Sequence, residues 1–226
     1  MSVWNRGWIG CMAENQLEEI KVILEGGTGE IVEKKSRFIA TIAKCETEEE
    51  ANRFIAGIKK QYWDARHNCS AFVIGNRGEL TRCSDDGEPS GTAGRPMLEV
   101  LLGEEIRNVA VVVTRYFGGT LLGTGGLVRA YSQAVKEGLA HCRLGQISQG
   151  IRWEIVTDYN DVGKILYLLG QHGIEPADSS YAENVTLMVE LAQDKTDSLR
   201  KELTDATNGK VRITKKNDCY IIRVLD

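Results

Sequence analysis

The chain contains 226 residues with a mass of 25.0 kDa, of which 42% are hydrophobic, 27% are charged and three are proline. This composition excludes collagen-like, mucin-like and disordered proteins, and the length favours two compact units or one large one. The formal net charge of −4 excludes a protein that is basic throughout, although it leaves room for a local basic patch.

The sequence lacks recognisable targeting and metal-binding signals. No stretch reaches the roughly 18 uncharged apolar residues of a transmembrane helix, and the N-terminus lacks a secretory signal pattern. The six cysteines include no C-x-x-C pair. We therefore expect a cytoplasmic protein with reduced thiols, no membrane contact, no bound metal and no cofactor. The sequence carries no signal for an oligomeric state.

The first part of the chain is predicted to form a mixed α and β domain. Residues 1–20 are expected to form an N-terminal extension, whereas residues 29–44 alternate as one or two strands. Thr47 and Glu50 have the spacing of a capping box, which predicts the start of a helix. Further strands are predicted over 67–75 and 108–114, the second covered on both faces, and further helices over 93–103 and 125–140.

The pattern starts afresh near residue 143, which predicts a domain boundary there. The segment that follows is predicted to form a strand, a helix, two strands, a helix and one or two closing strands. This βαββαβ order is that of a ferredoxin-like domain. Within it, we expect Asp194 to cap the second helix. The predicted α+β protein therefore has an extension over 1–20, a first domain over 21–142 and a ferredoxin-like domain over 143–226.

Five glycines lie between a predicted buried strand and a predicted helix. Glycine permits positive φ and a close approach of another backbone or a ligand. The N–H groups at the helix start, with arginines nearby, would suit an anion or a phosphate. The alternative is a tight structural crossing with the arginines in salt bridges. The predicted anion or nucleic-acid site comprises Arg66, Arg95, Arg115, Tyr116, Gly118, Gly119, Gly123, Gly125, Gly126 and Arg129.

Two aromatic residues, Tyr116 and Phe117, stand beside an arginine and could stack on nucleic-acid bases. Adjacent residues of a strand point to opposite faces, so at least one of the two belongs to the core. We predict that Phe117 is buried in the core. The base-stacking hypothesis therefore depends on Tyr116 alone.

The acidic turn, residues 84–94, concentrates three carboxylates within five residues. This density could bind a hard cation through oxygen ligands, although the spacing does not match an EF-hand. Asp-Asp-Gly is also favourable turn chemistry, and Ser90 or Thr92 could cap the next helix. Two interpretations therefore stand, a turn with a helix cap and a functional carboxylate site.

His67 and Cys69 lie two residues apart on a predicted strand, a spacing that a cysteine–histidine nucleophile pair could have. Apolar residues continue that face of the strand, so we expect a buried thiol beside a hydrogen-bonded histidine. The strand and the acidic turn together predict a polar cleft, which comprises His67, Asn68, Ser84, Asp85, Asp86 and Glu88.

Four ordered motifs resemble those of the IMPACT family, in its bacterial YigZ-like branch, over about residues 28–142. The resemblance implies a first domain with the ribosomal protein S5 domain 2 fold. Residues 145–226 are similar to the C-terminal domains of elongation factor G. The four motifs are Lys35-Ser36-Arg37-Phe38, Ala65-Arg66-His67-Asn68-Cys69, the acidic turn, and the stretch from Arg115-Tyr116-Phe117-Gly118-Gly119 through Arg129-Ala130-Tyr131.

The resemblance also implies contact with RNA or the ribosome, because eukaryotic relatives regulate translation and both folds recur in ribosome-associated proteins. Our leading hypothesis is a cytoplasmic binding protein that engages RNA or the ribosome through a polar surface between the domains. The motivation is positive charge, since residues 107–143 hold five basic side chains and one acid on an otherwise acidic chain.

Two other hypotheses use the acidic turn. In the first, the protein is a hydrolase, metal-dependent or of a peptidase type, in which Asp85, Asp86 or Glu88 holds a metal or acts as a base near His67. In the second, the motifs are architectural, and Asp85, Asp86, Arg66 and Arg115 form a buried ion network.

Overall fold

The computed structural model describes residues 19–225. The predicted extension over residues 1–20 lies outside this range except for its last two residues, and Ile20 already belongs to the first strand. The chain divides into two compact units. One comprises Ile20–Gln146 with the residues from Arg223 onward, and the other comprises Ile147–Ile222. Among the described residues, no helix combines the length and apolar character that a membrane span needs.

The first unit alternates strands and helices along the chain. Its strands are β1 (Ile20–Glu25), β2 (Thr28–Glu33), β3 (Ser36–Lys44), β4 (His67–Ile74), β5 (Leu80–Ser84), β6 (Ile106–Arg107) and β7 (Val109–Tyr116). Its helices are α1 (Glu48–Gln61), α2 (Gly94–Gly103) and α3 (Thr124–Ala140).

Five strands of this unit form an antiparallel sheet in the order β2-β3-β7-β4-β5. Helix α1 covers one face, where Ala51 packs with Phe72 and Ala110. Helices α2 and α3 cover the other face, where Met97 and Tyr131 belong to the larger core. Strand β1 pairs in parallel with β6. This arrangement is the S5 domain 2-like fold that the family resemblance implies.

The central strand β7 is buried along nearly its whole length, from Val109 to Arg115. Helices on both faces of the sheet exclude water from this strand, which explains its uniformly apolar sequence. The prediction of a strand covered on both faces is confirmed.

Helix α1 begins as its capping box predicts. The Oγ1 of Thr47 accepts a hydrogen bond from the Glu50 N–H at 3.2 Å. The carboxylate of Glu50 reaches back and accepts the N–H of Glu46 at 2.7 Å, one residue earlier than a standard box. The contact with Thr47 satisfies a backbone donor that the first helical turn leaves free.

The second unit has the predicted βαββαβ order of a ferredoxin-like domain. Strand β10 lies between β8 and β9 and is antiparallel to both, and β11 pairs with β8. Trp153, Leu187 and Leu199 are fully buried in its core. The elements are β8 (Arg143–Thr157), α4 (Val162–Gln171), β9 (Asp178–Tyr181), β10 (Val185–Ala192), α5 (Thr196–Ala206) and β11 (Arg212–Leu225).

Local expectations around the second unit need correction. Asp194 lies inside a short 3-10 turn, and α5 begins at Thr196 without a side-chain cap, so Asp194 does not cap the helix. Residues 143–146 form the start of β8 instead of a polar break, because a partly exposed strand accommodates polar residues. Residues 212–225 form one closing strand, and β1 and β5 were not predicted.

The five cysteines of the described range are unpaired. Burial raises the pKa of Cys45, Cys142 and Cys219 to about 11, and it raises the pKa of Cys69 to about 12. These four side chains are therefore protonated thiols at neutral pH. Cys83, at the exposed end of β5, faces solvent.

Candidate functional site at the acidic turn and the glycine loop

The acidic turn folds around the carboxylate of Asp85. Its Oδ1 accepts the N–H groups of Ala93 at 3.0 Å and Gly94 at 2.8 Å, and its Oδ2 accepts the N–H of Gly91 at 2.8 Å. Burial by itself raises the pKa of Asp85, but the three hydrogen bonds outweigh burial, so the pKa lies below its ordinary value of 3.8. Asp85 is therefore an internal anion at the start of α2, where neither Ser90 nor Thr92 provides the predicted cap.

Asp86 ties the acidic turn to α1 and β4. Its Oδ1 lies 2.5 Å from the Nζ of Lys59, and its Oδ2 accepts the N–H of Asn68 at 2.7 Å. Burial raises the pKa of Asp86, but the bonds to Lys59 and Asn68 lower it overall. The Asp86 N–H donates to the Oγ of Ser84 at 3.3 Å. Both oxygens of this carboxylate are thus engaged within the protein.

Glu88 forms a buried ion pair with Arg115. The Nη1 of Arg115 lies 2.6 Å from the Oε1 of Glu88, and both side chains are more than nine-tenths buried. The hydroxyl of Tyr131 donates to the same oxygen at 2.8 Å. The Arg115 guanidinium also lies 5.4 Å from the centre of the Phe38 ring. Arg115 is therefore held inside the unit and does not face solvent.

His67 and Cys69 do not form a nucleophile pair. The Sγ of Cys69 donates to the carbonyl of Asp85 at 3.0 Å, and it lies 3.3 Å from the hydroxyl of Tyr131. The Nδ1 of His67 lies 2.9 Å from the carbonyl oxygen of Asp86. With its raised pKa, Cys69 is a protonated core thiol beside a hydrogen-bonded histidine, as expected.

The hydrolase hypothesis needs a carboxylate that is free to ligate a metal or accept a proton. Asp85 and Asp86 accept hydrogen bonds on both oxygens, and Glu88 is buried against a cation. Within residues 19–225, no group of three or more His, Cys, Asp or Glu side chains is arranged to hold a metal ion. No observation supports the hydrolase, and the contacts of the acidic turn fit the architectural interpretation.

The glycine loop, residues 117–126, joins β7 to α3. A Cβ on Gly118 would lie 2.0 Å from the carbonyl carbon of Lys35, so only glycine fits against the turn between β2 and β3. Gly119 and Gly123 have φ values of +85° and +73°, which other residues adopt only with strain. The fold itself therefore requires these three glycines.

The two remaining glycines, Gly125 and Gly126, lie in the first turn of α3. A Cβ on Gly125 would meet no atom within 4 Å, and a Cβ on Gly126 would touch only the Leu122 side chain. Among residues 19–225, no side chain caps this helix start, and helix geometry leaves its first N–H groups without an intrahelical partner. Arg129, one turn later, is exposed and has no ion-pair partner in the described part of the chain.

The prediction that Phe117 lies in the core is wrong, because its side chain is 52% exposed. Strand β7 ends at Tyr116, so the alternation of faces does not extend to the next residue. The ring of Phe117 packs against the Arg115 guanidinium at 5.6 Å. Tyr116 is half-buried, donates its hydroxyl to Asp64 at 2.8 Å and has Arg37 over its ring at 5.8 Å, so one face of this ring is already occupied.

The structure separates the predicted site residues into two groups. The acidic turn, His67, Asn68 and Arg115 converge in one hydrogen-bonded network. Gly125, Gly126 and Arg129 lie at the open start of α3. Outside both groups, Arg66 is exposed, and Arg95 pairs with Glu99 one turn later in α2 at 2.8 Å.

Sequence reasoning missed two partners in the network, Tyr131 and Lys59. Both come from helices, and their contacts with the acidic turn depend on tertiary packing. A tyrosine on the apolar face of a predicted helix was the available signal, because a buried hydroxyl needs a hydrogen-bond partner.

Comparison with known proteins supports this architecture. The Impact N-terminal domain matches residues 34–139, and a domain of unknown function (DUF1949) matches residues 155–210. A solved structure described as "Crystal structure of an hypothetical protein" aligns with a TM-score of 0.56 and 34% identity, over 88% of this chain and 98% of that chain. Fold and comparisons define a two-part α+β protein, an S5 domain 2-like domain followed by a ferredoxin-like one.

The relatives identify the family. The chain is 42% identical to IMPACT family member YvyE of Bacillus subtilis over 206 residues, which cover 90% of this chain and 94% of that protein. It is 37% identical to IMPACT family member YigZ of Escherichia coli over 182 residues, which cover 80% and 89%. Protein IMPACT-B of Xenopus tropicalis is 33% identical over 47% of this chain and 34% of that protein. The chain belongs to the IMPACT family.

Proposed function

We propose that this protein is a cytoplasmic IMPACT-family member that regulates translation by binding RNA, either free or within the ribosome. The binding surface is the glycine loop with the start of α3. The family resemblance supports the link to translation, and the residues of the loop support the link to RNA.

The observation that carries this proposal is the open start of α3. Alanine at Gly125 would meet no neighbour and would favour the helix by about 1 kcal/mol, so the fold gives no reason for glycine there. A glycine at this position lets a ligand backbone approach the free N–H groups. Arg129 places an exposed guanidinium one turn away, which forms no ion pair with any residue of 19–225. An anionic strand would meet both.

Exposed apolar side chains in the loop suit the bases of a single strand. Phe117 is 52% exposed and Leu121 is 82% exposed. An aromatic ring can stack on any base, which gives binding without strong sequence preference. The Phe117 ring also contacts the Arg115 guanidinium, which fixes its position. Because Phe117 is more exposed than Tyr116, the aromatic role predicted for Tyr116 is better assigned to Phe117.

The test is the binding of labelled single-stranded RNA to the full chain, measured by fluorescence anisotropy. We expect affinity to fall steeply between about 50 mM and about 200 mM salt, because phosphate contacts release counterions. Arg129→Ala is expected to weaken binding about five-fold and to reduce the salt slope by about one. The matched control is Arg53→Ala, which removes an exposed arginine from α1 on the other face of the sheet.

Three outcomes would contradict the proposal. They are salt-independent binding, equal affinity in Arg129→Ala and the wild type, and absent binding together with no cosedimentation with ribosomes. Thermal unfolding of both variants is measured alongside, and a Tm within about 2 °C of the wild type shows that the fold is intact.

A further inference from the structure

A cavity of about 680 Å³ lies in the first unit between the hairpin of β2 and β3 and the first half of α3. Two residues of the open helix start, Gly126 and Arg129, belong to its lining. The volume falls within the range of about 300–1,000 Å³ that is typical of sites for small organic ligands. A bare phosphate would leave most of this space empty.

The cavity lining is strongly cationic. Lys34, Arg129 and Lys136 line it, and Glu33 is its single acid. All three basic side chains are exposed, and none of them forms an ion pair within residues 19–225. The lining therefore carries a local excess of positive charge on a chain whose net charge is −4. This excess favours an anionic ligand.

The turn that carries Lys34 has an unusual sequence for its backbone shape. Lys34 and Lys35, the two residues between β2 and β3, have φ values of +45° and +67°. Hairpin turns with positive φ at both central residues prefer Asn-Gly or similar pairs. The backbone conformation of this turn does not favour lysine. The consequence of lysine here is that Lys34 places a cation at the rim of the cavity.

The rest of the lining suits an organic group with polar edges. Ile31, Leu122 and Val128 give the cavity a half-buried aliphatic wall. Ser132 and Gln133 add a hydroxyl and an amide, and both also line the cavity. An amide can both donate to and accept from the edge of a base, which is how Gln recognises adenine. An acyl chain would use neither group.

We propose that this cavity binds a nucleoside monophosphate unit. The phosphate lies against Lys34, Arg129 and Lys136, and the base lies on the aliphatic wall with its edge toward Ser132 and Gln133. The inference deepens the proposed function and rests on it, because Arg129 and Gly126 belong to both. The unit is either a free nucleotide or the 5′-terminal nucleotide of an RNA strand.

The first test is isothermal titration calorimetry of the full chain with AMP, adenosine and inorganic phosphate. AMP is expected to bind at least about tenfold more tightly than either fragment, because only AMP uses both the cations and the aliphatic wall. Equal affinity for AMP and inorganic phosphate would overturn the proposal, since the wall would then contribute nothing. Absent AMP binding would overturn it as well.

The second test compares two lysine variants. Lys136→Ala removes one cation of the cavity and is expected to weaken AMP binding about tenfold. Lys60→Ala removes an exposed lysine of α1, on the other face of the sheet, and is expected to leave AMP binding unchanged. Equal losses in the two variants, or no loss in either, would overturn the proposal, provided that both melt like the wild type.

Competition with RNA separates the two sources of the nucleotide. If the cavity takes a strand terminus, 5′-phosphorylated oligoadenylate displaces AMP at a much lower concentration than the 5′-hydroxyl strand. If it takes a free nucleotide, the two strands displace AMP equally well, because both compete only for Arg129, and the proposal still stands. RNA binding through Arg129 without AMP binding would overturn this inference alone. AMP binding without RNA binding would overturn the proposed function alone.

Discussion

The first turns of α2 and α3 both contain backbone N–H groups that have no partner within the helix. Within residues 19–225, another part of the chain binds these groups at α2 but not at α3. At α2, the carboxylate of Asp85 accepts two of these groups and a third from Gly91. At α3, which follows Gly123, no side chain from the described part of the chain caps the helix. The N–H groups beside the acidic turn are thus bound by a carboxylate of the same protein, whereas the N–H groups that follow the glycine loop remain available to a ligand.

This difference shows how a motif rich in functional groups can be structural. Asp85, Asp86 and Glu88 resemble a catalytic or metal-binding cluster in the sequence, but each is bound by an N–H, a lysine or an arginine of the same unit. The start of α3 has no carboxylate at all in its first turn. Available donors, and not the density of charged residues, mark the surface that can receive a ligand.

The largest expected effect comes from the buried ion pair of Arg115 with Glu88. Arg115→Ala leaves the Glu88 carboxylate buried without its cation, so we expect a loss of about 4 kcal/mol in the free energy of unfolding, measured by urea denaturation. Arg95→Ala, which breaks the exposed pair with Glu99, should cost less than about 1 kcal/mol.

A loss of RNA binding in Arg115→Ala with unchanged stability would break the comparison, because the network would then be functional instead of structural.

The next effect comes from Asp85. Asp85→Ala leaves three backbone N–H groups without their acceptor and should cost about 2 kcal/mol of unfolding free energy at neutral pH. The control is Glu99→Ala, which removes an exposed carboxylate of α2, the helix that follows the acidic turn, and should change stability much less. RNA binding should be unaffected in both variants.

The pH dependence of this loss follows from the lowered pKa of Asp85. Because the folded state favours the carboxylate, the stabilisation is present above the ordinary pKa of 3.8 and disappears as the pH falls through the lowered value. The difference in stability between the wild type and Asp85→Ala should therefore narrow in acid. A difference that stays constant from neutral to strongly acidic pH would contradict the assigned role.

The smallest expected change in stability, that of a Gly125 variant, gives the most direct test of the difference between the two helix starts. Gly125→Ala should stabilise the protein by about 0.5–1 kcal/mol, because alanine favours the helix and meets no neighbour. It should also weaken RNA binding, because the methyl group blocks the open N–H groups. The matched control is Gly57→Ala in α1, where a Cβ also meets nothing and RNA binding should not change.

A Gly125→Ala variant that is more stable and binds RNA as well as the wild type would show that the start of α3 is not the ligand site.

Periodicity and capping chemistry predicted much of the fold. The capping box of Thr47, the doubly covered strand β7 and the βαββαβ order were all visible as patterns. The short strands β1 and β5 escaped because short, partly exposed strands have weak alternation. The end of β7 at Tyr116 was not predicted either, since nothing local marks where strand pairing stops. As a result, Phe117 was wrongly placed in the core.

The candidate site was less predictable, because its residues are defined by partners that lie far apart in the chain. Asp85 and Arg115 were both identified, but whether their side chains face solvent or join the internal hydrogen-bonded network depends on tertiary packing. Lys34 was missed, and Lys136 was identified only as one of the five basic residues of 107–143. Neither stands in a dense motif, and only the approach of the β2–β3 hairpin to α3 brings them together with Arg129.

The contrast among the thiols makes the molecule convenient for spectroscopy. Cys45, Cys69, Cys142 and Cys219 are held in the unreactive protonated form, so among the described cysteines a maleimide dye at neutral pH selects Cys83. This position immediately precedes Ser84. A fluorophore there would report on the acidic turn.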